Sequence, residues 1–187
     1  MKRRKKILSV LSVCILVLSF GMFAFAGENI TPYAITSSRT AISTTQNGSM
    51  MLNCNTSSAT LVKDGTKVNI FGNTGNDTQR WYKATSPYGS PVLRPWGKDN
   101  NTKVLNCLRG GQYDCNIREE SVNASTPKDM LINFTYTDKN KPSFTMWVSP
   151  RDNFGAAYVT RAGSTQGSRC YWKSSAPGST WYYRIDR

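Results

Sequence analysis

Asp64-Gly65-Thr66-Lys67-Val68-Asn69-Ile70-Phe71, followed shortly by Gly75-Asn76-Asp77-Thr78-Gln79-Arg80-Trp81, is the stretch from which the rest of the chain can be read. Val68–Phe71 is a short run rich in β-branched and aromatic residues, the composition of a strand. Asp64-Gly65 before it and Gly75-Asn76-Asp77 after it are turn clusters. The order is therefore turn, strand, polar turn, large aromatic. An earlier short strand at Leu52-Asn53 completes the unit.

The same order recurs twice. Leu105-Asn106 and Val159-Thr160 match Leu52-Asn53 and follow it at spacings of 53 and 54 residues. Cys115-Asn116-Ile117-Arg118 and Cys170-Tyr171-Trp172-Lys173 match the second strand, and Phe134 and Trp181 match Trp81. Further strand-like runs fall at 91–93, 103–108, 130–136, 144–148 and 180–185, with a first strand near 40–45. No window of a dozen residues sustains the i, i+3, i+4, i+7 pattern of a helix. The expected fold is all-β. Three units of about fifty residues that each leave an apolar face open can close one barrel together and so remove sheet edges. That predicts a β-trefoil over residues 40–187, preceded by a short polar leader at 27–39.

Residues 1–26 read as an export signal. Lys2, Arg3, Arg4, Lys5 and Lys6 precede an apolar run that ends in Ala24-Phe25-Ala26, the basic, apolar and small-residue parts of a cleavable signal peptide. Cleavage implies a secreted, extracellular protein with no stable membrane insertion. The whole chain carries 24 basic and 11 acidic residues, net +13; without the signal the balance is 19 against 11, or +8. Such a charge favours an anionic surface, with retention at the cell wall as its consequence.

The first block resembles the ricin B-type lectin repeat, in which a Gly-x-x-apolar-x-apolar-aromatic strand precedes a polar turn and Gln-x-Trp. Gln79-Arg80-Trp81 fits the last element residue by residue. The third block, from Tyr158-Val159-Thr160 to Thr180-Trp181, looks like a closing repeat of the same kind, while the second matches less well. The resemblance implies a β-trefoil with shallow sugar sites, each made of a polar side chain after the first strand, an aromatic platform at the end of the second, and an amide beside Gln-x-Trp. In the first block those positions are Asn53, Asn69, Phe71 and Thr78, with Asp77 adjacent. Asn53 stands where the family has Asp and lacks a carboxylate's charge-assisted bond; Thr78 stands where it has an amide. Arg118 and Lys173 replace the platform in the other blocks. A second reading stays open, in which Asn53 and Asn69 satisfy turn backbones and Phe71 packs inside. Gln79, Trp81 and Trp181 are expected to be structural, the rings filling the barrel and the amide bonding turn backbone.

Cys54, Cys107, Cys115 and Cys170 remain after signal removal, an even number that suits disulfides in an exported chain. Cys107 and Cys115 bracket Gly110-Gly111 and suit a bridge across one hairpin, leaving Cys54 with Cys170. If the fold separates that last pair, both stay free and buried.

The chain has no histidine, which removes Ser-His-Asp and Cys-His chemistry and the commonest metal ligand. Its carboxylates are scattered through turns, whereas glycoside hydrolysis needs two that face each other about 5 to 9.5 Å apart. No catalytic residue, metal or cofactor is expected. Basic and aromatic residues interleave near the C-terminus, from Arg161 to Arg187, a pairing that also serves single-stranded nucleic acid; in an exported protein no nucleic acid is expected. The expected role is a carbohydrate- or envelope-binding module whose partner is a glycan or anionic cell-envelope polymer. The alternative is an interaction protein, an inhibitor or toxin-associated component, that grips another secreted protein through trefoil loops such as residues 123–142.

Overall fold

The computed structural model describes residues 38–86, 89–108, 113–120, 128–137, 142–150 and 154–185. The expected signal peptide at 1–26, and the leader up to residue 37, lie outside the described residues. The first repeat holds strands β1 Thr40–Ser43, β2 Met50–Cys54, β3 Val68–Gly72 and β4 Arg80–Thr85. The second holds β5 Pro91–Pro95, β6 Lys103–Asn106, β7 Asn116–Glu119 and β8 Ile132–Tyr136. The third holds β9 Ser143–Val148, β10 Ala157–Arg161, β11 Cys170–Lys173 and β12 Trp181–Ile185.

The outer strands of each repeat make the barrel. Antiparallel ladders join β1 to β4, β4 to β5, β8 to β9, β9 to β12 and β12 back to β1, and β5 packs beside β8. The inner strands make three hairpins, β2–β3, β6–β7 and β10–β11. The hairpins meet around one axis through bridges Lys67↔Asn116, Asn69↔Arg169 and Asp114↔Tyr171. The Val68 N–H donates to the Cys115 carbonyl and the Cys115 N–H to the Cys170 carbonyl, each at 2.8 Å. This six-stranded barrel capped by three hairpins is a β-trefoil, as the repeats predict. Gly65 enters the first hairpin with φ 82, a left-handed conformation that glycine adopts without steric cost.

Alternation along the hairpins sends Leu52 and Ile70, Leu105 and Ile117, and Val159 and Trp172 inward as facing pairs, all fully or nearly fully buried. Trp81 and Trp181 fill the barrel. Each also satisfies its indole N–H, Trp81 on the Leu52 carbonyl at 3.0 Å and Trp181 on that of Val159 at 3.4 Å. The second repeat departs from expectation. Trp81 faces Pro95, the last residue of the next repeat's first strand, and Ile132 faces Val148 in the same way. The matching slot therefore holds Ile132, while Phe134 lies two residues on, half-buried, with its ring 5.8 Å from that of Phe144. Sequence spacing cannot separate these two positions, because residues i and i+2 share one face of a strand.

Two further expectations change. Residues 123–142, read as a docking loop, contain the short turn Lys128–Met130 and barrel strand β8; residues 123–127 and 138–141 lie outside the described residues. The four cysteines Cys54, Cys107, Cys115 and Cys170 are buried and carry no disulfide. Across the hairpins, Cys54 faces Val68 and Cys170 faces Arg161, so the register gives Cys54 and Cys170 no shared pair. Cys107 and Cys115 flank the Asn106↔Asn116 pair and lie unbridged inside the core. All four act as small apolar residues. Burial pushes the Cys54 thiol far up, the Cys170 thiol up to about 12, and the Cys115 thiol up as well, the last helped by its neighbours Cys170 and Cys107.

One polar pair is also buried. Arg94 on β5 bonds the Glu120 carboxylate and, at 3.4 Å, the Lys103 carbonyl. Removing one member leaves the other charge buried alone, at a cost of about 3–5 kcal/mol. Glu120→Ala is therefore expected to lower the unfolding free energy by that much, and Arg94→Met with Glu120→Leu to regain most of it, as read by equilibrium denaturant unfolding. The thiols give a pH prediction. Their folded-state values are raised, so their contribution is complete below the ordinary thiol value of about 8.5 and is lost as pH rises beyond it, where the unfolded chain ionises first. Unfolding free energy should fall between neutral and strongly alkaline pH, less steeply in a Cys54→Val, Cys170→Val variant.

Candidate functional site

The β3–β4 turn of the first repeat is built around Gln79. Its Nε2 donates to the Gly72 carbonyl at 2.7 Å, and its Oε1 accepts from the Thr74 N–H at 2.9 Å and the Thr74 hydroxyl at 3.1 Å. The single amide closes the turn from both sides, which is why an amide is needed there. Asp77, Thr78 and Gln79 form one 3-10 turn that packs against β2. Thr78 is buried, whereas Asp77 is exposed and pairs with Arg39 at 2.7 Å.

Asn53 and Asn69 face each other across β2 and β3. The Asn53 Nδ2 donates to the Asn69 Oδ1 at 2.9 Å, and the two residues are only 6% and 7% exposed. The second repeat repeats the bond, from Asn106 Nδ2 to Asn116 Oδ1 at 2.9 Å. The third places Thr160 opposite Tyr171 instead. The polar slots of the first two repeats are thus cross-strand amide pairs that tie each hairpin together. Phe71 follows on the same face, half-buried and opposite Met51. The structure thus groups Asn53, Asn69 and Phe71 on one hairpin face and Asp77, Thr78 and Gln79 on the adjoining turn. Trp81 and Trp181 are fully buried.

The outward residues beside the threefold axis gather charge. Lys67, Asp114 and Arg169 precede the equivalent inward residues Val68, Cys115 and Cys170 in their hairpins. Asp114 bonds both Lys67 and Arg169 at 3.1 Å, and the Arg169 guanidinium also lies 5.1 Å from the centre of the Tyr171 ring. Slight burial opposes ionisation of Asp114, but the hydrogen bonds and charges of Lys67 and Arg169 outweigh it and hold the carboxyl below its usual value. Arg118, next along β7, is exposed. Among the described residues, no group of three His, Cys, Asp or Glu is placed to hold a metal ion.

Sequence reasoning missed one cluster. Trp147 and Tyr158 are neighbours across β9 and β10, with near-parallel rings 6.4 Å apart and an interplanar angle of 27°. Both belong to predicted strands, but only the register shows that they adjoin.

No protein-family model matches the chain, and no curated protein matches it. Solved structures do. The chain is similar to a mosquitocidal holotoxin at 10% identity and a TM-score of 0.61, over 82% of this chain and 18% of the toxin. It is similar to ThreeFoil, a designed threefold-symmetric protein, at 16% identity and 0.57, over 80% and 99% of the two chains. A Caenorhabditis elegans protein of unknown function is similar at 10% identity and 0.55, over 83% and 98%. These likenesses carry the fold alone: the chain is a β-trefoil.

Replacing the buried Gln79 by Ala removes its bonds to the half-buried Gly72 carbonyl and to Thr74, at about 1–3 kcal/mol. Gln79→Ala should lower stability by that amount in chemical unfolding, and Gln79→Glu should not restore it, because the carboxylate cannot donate to Gly72.

Proposed function

We propose that this protein is a secreted, non-catalytic module that binds carbohydrate or an anionic polymer of the cell envelope. The observation that carries the reading is the cap of the trefoil, where Lys67 and Arg169 flank the carboxylate of Asp114 and Arg118 stands exposed further along β7. A basic, polar, shallow surface on a rigid barrel suits a polymer of hydroxyls and sparse negative charge better than it suits a reaction. The resemblance of the first repeat to ricin B-type lectins supports the same class and proposes Phe71, with Asn53, Asn69, Asp77 and Thr78 about it, as a sugar contact.

A second reading has its own observation. Leu61, Tyr113 and Phe154 are 56%, 48% and 44% exposed, each outside the regular strands. Apolar side chains on segments between strands are what a protein partner would grip, as in an inhibitor or toxin-associated component.

Retention of the protein on isolated cell walls separates the two. Retention that falls several-fold between low and high salt, and that added wall polysaccharide competes away, supports the module, since screening weakens exposed charge. Salt-insensitive retention, or capture only by a purified protein partner, overturns it. Phe71→Ala in folded protein should weaken glycan binding if the first repeat is in contact.

A further inference from the structure

Resting on the carbohydrate-binding reading, we infer that the outer face of β8–β11 is a binding surface for an acidic polysaccharide, with Trp147 and Tyr158 as its platform and Lys173 as its charge contact. These residues form one continuous row. Asn133 on β8 faces Trp147 on β9, Trp147 faces Tyr158 on β10, and Tyr158 faces Lys173 on β11. All four are half-buried while their strand neighbours Ile132, Val148, Val159 and Trp172 are buried. The row therefore lies on the solvent side of a sheet whose other side is core.

The platform is held in place. The Trp147 indole N–H donates to the Thr135 hydroxyl at 2.9 Å. Gly178 presses on the base of Tyr158, where an added Cβ would come within 2.7 Å of the Tyr158 Cβ. Rings fixed before binding spare the ligand an ordering cost. The two near-parallel rings are stacked with centroids 6.4 Å apart and form one apolar body along the row, against which the C–H faces of sugar rings can pack, with hydroxyls left to polar neighbours such as Asn133.

Charge selects the class of sugar. Strands β8–β11 carry Arg161 and Lys173 but no Asp or Glu. Arg161 is engaged by the Thr44 and Thr180 carbonyls at 3.0 and 3.4 Å, and Arg169, at the entry to β11, already pairs with Asp114. Lys173 has no ion pair among the described residues. One available ammonium beside two rings matches a polymer with a carboxylate on some of its sugars. A nucleic acid presents a phosphate at every nucleotide and calls for a run of cations along the groove. Tyr158 and Lys173 lie on the third hairpin, Lys173 at the position that Phe71 holds in the first, and Trp147 carries the row beyond the hairpin onto barrel strand β9.

Affinity electrophoresis of the full chain in gels containing polygalacturonate, neutral dextran or single-stranded oligothymidylate tests this. Wild-type protein should be retarded by polygalacturonate, Trp147→Phe nearly as much, and Trp147→Ala and Lys173→Gln at least tenfold less, with thermal unfolding unchanged for Lys173→Gln. If polysaccharide binding survives in Trp147→Ala and Lys173→Gln but is lost in Phe71→Ala, the module stands and this surface is overturned. Equal binding of dextran, or tighter binding of oligothymidylate, overturns the acidic-sugar assignment. No retardation of wild type by either polysaccharide overturns the carbohydrate reading together with this surface.

Discussion

Backbone hydrogen bonds around the threefold axis hold three hairpins that are each too small to stand alone. A two-stranded hairpin is marginal in water. Here Val68 bonds Cys115 and Cys115 bonds Cys170, so each hairpin completes its pairing on the next. That belt sets the direction of every side chain in the cap. Val68, Cys115 and Cys170 must point inward, and Lys67, Asp114 and Arg169 outward. Three equivalent cations there would repel. An acid in the second hairpin instead gives Lys67 and Arg169 a common partner.

The inward positions show how far a threefold frame tolerates unequal filling. Trp81, Ile132 and Trp181 occupy one set of slots. In the third repeat Phe144 faces Trp181, where the first repeat has Thr40 facing Trp81. Packing is conserved as total volume rather than position by position. The cysteines fit this account: a thiol at Cys115 and Cys170 takes the place that an isopropyl group takes at Val68, and burial keeps it neutral and unreactive.

Outward positions diverge further. The row Ser43, Met51 and Phe71 in the first repeat is covered at its first two members, and the corresponding row in the third repeat is Trp147, Tyr158 and Lys173, half-exposed throughout. The second repeat pairs Val104 with Arg118 and buries the Arg94–Glu120 ion pair close by. One backbone geometry thus supports a packed row, a buried charge pair and an open aromatic strip.

The sequence alone determined the repeat, the all-β class and most strand positions, because period-two runs and turn residues are local signals. It also determined the structural parts of Gln79, Trp81 and Trp181, because a donor–acceptor amide and a large ring have few places to go in such a unit. Strand β4 escaped it, since Arg80, Lys83 and Thr85 dilute the apolar run after Trp81. Only the tertiary structure decided the rest. Register puts Asn53 opposite Asn69, amide to amide at 2.9 Å, a pairing no stretch of sequence shows. Cys54 and Cys170 could have bridged until register gave them different partners. Trp147, Tyr158 and Lys173 lie 26 residues apart from first to last and meet only because β9, β10 and β11 pair side by side. Strand pairing is a non-local choice, and no window of sequence contains it.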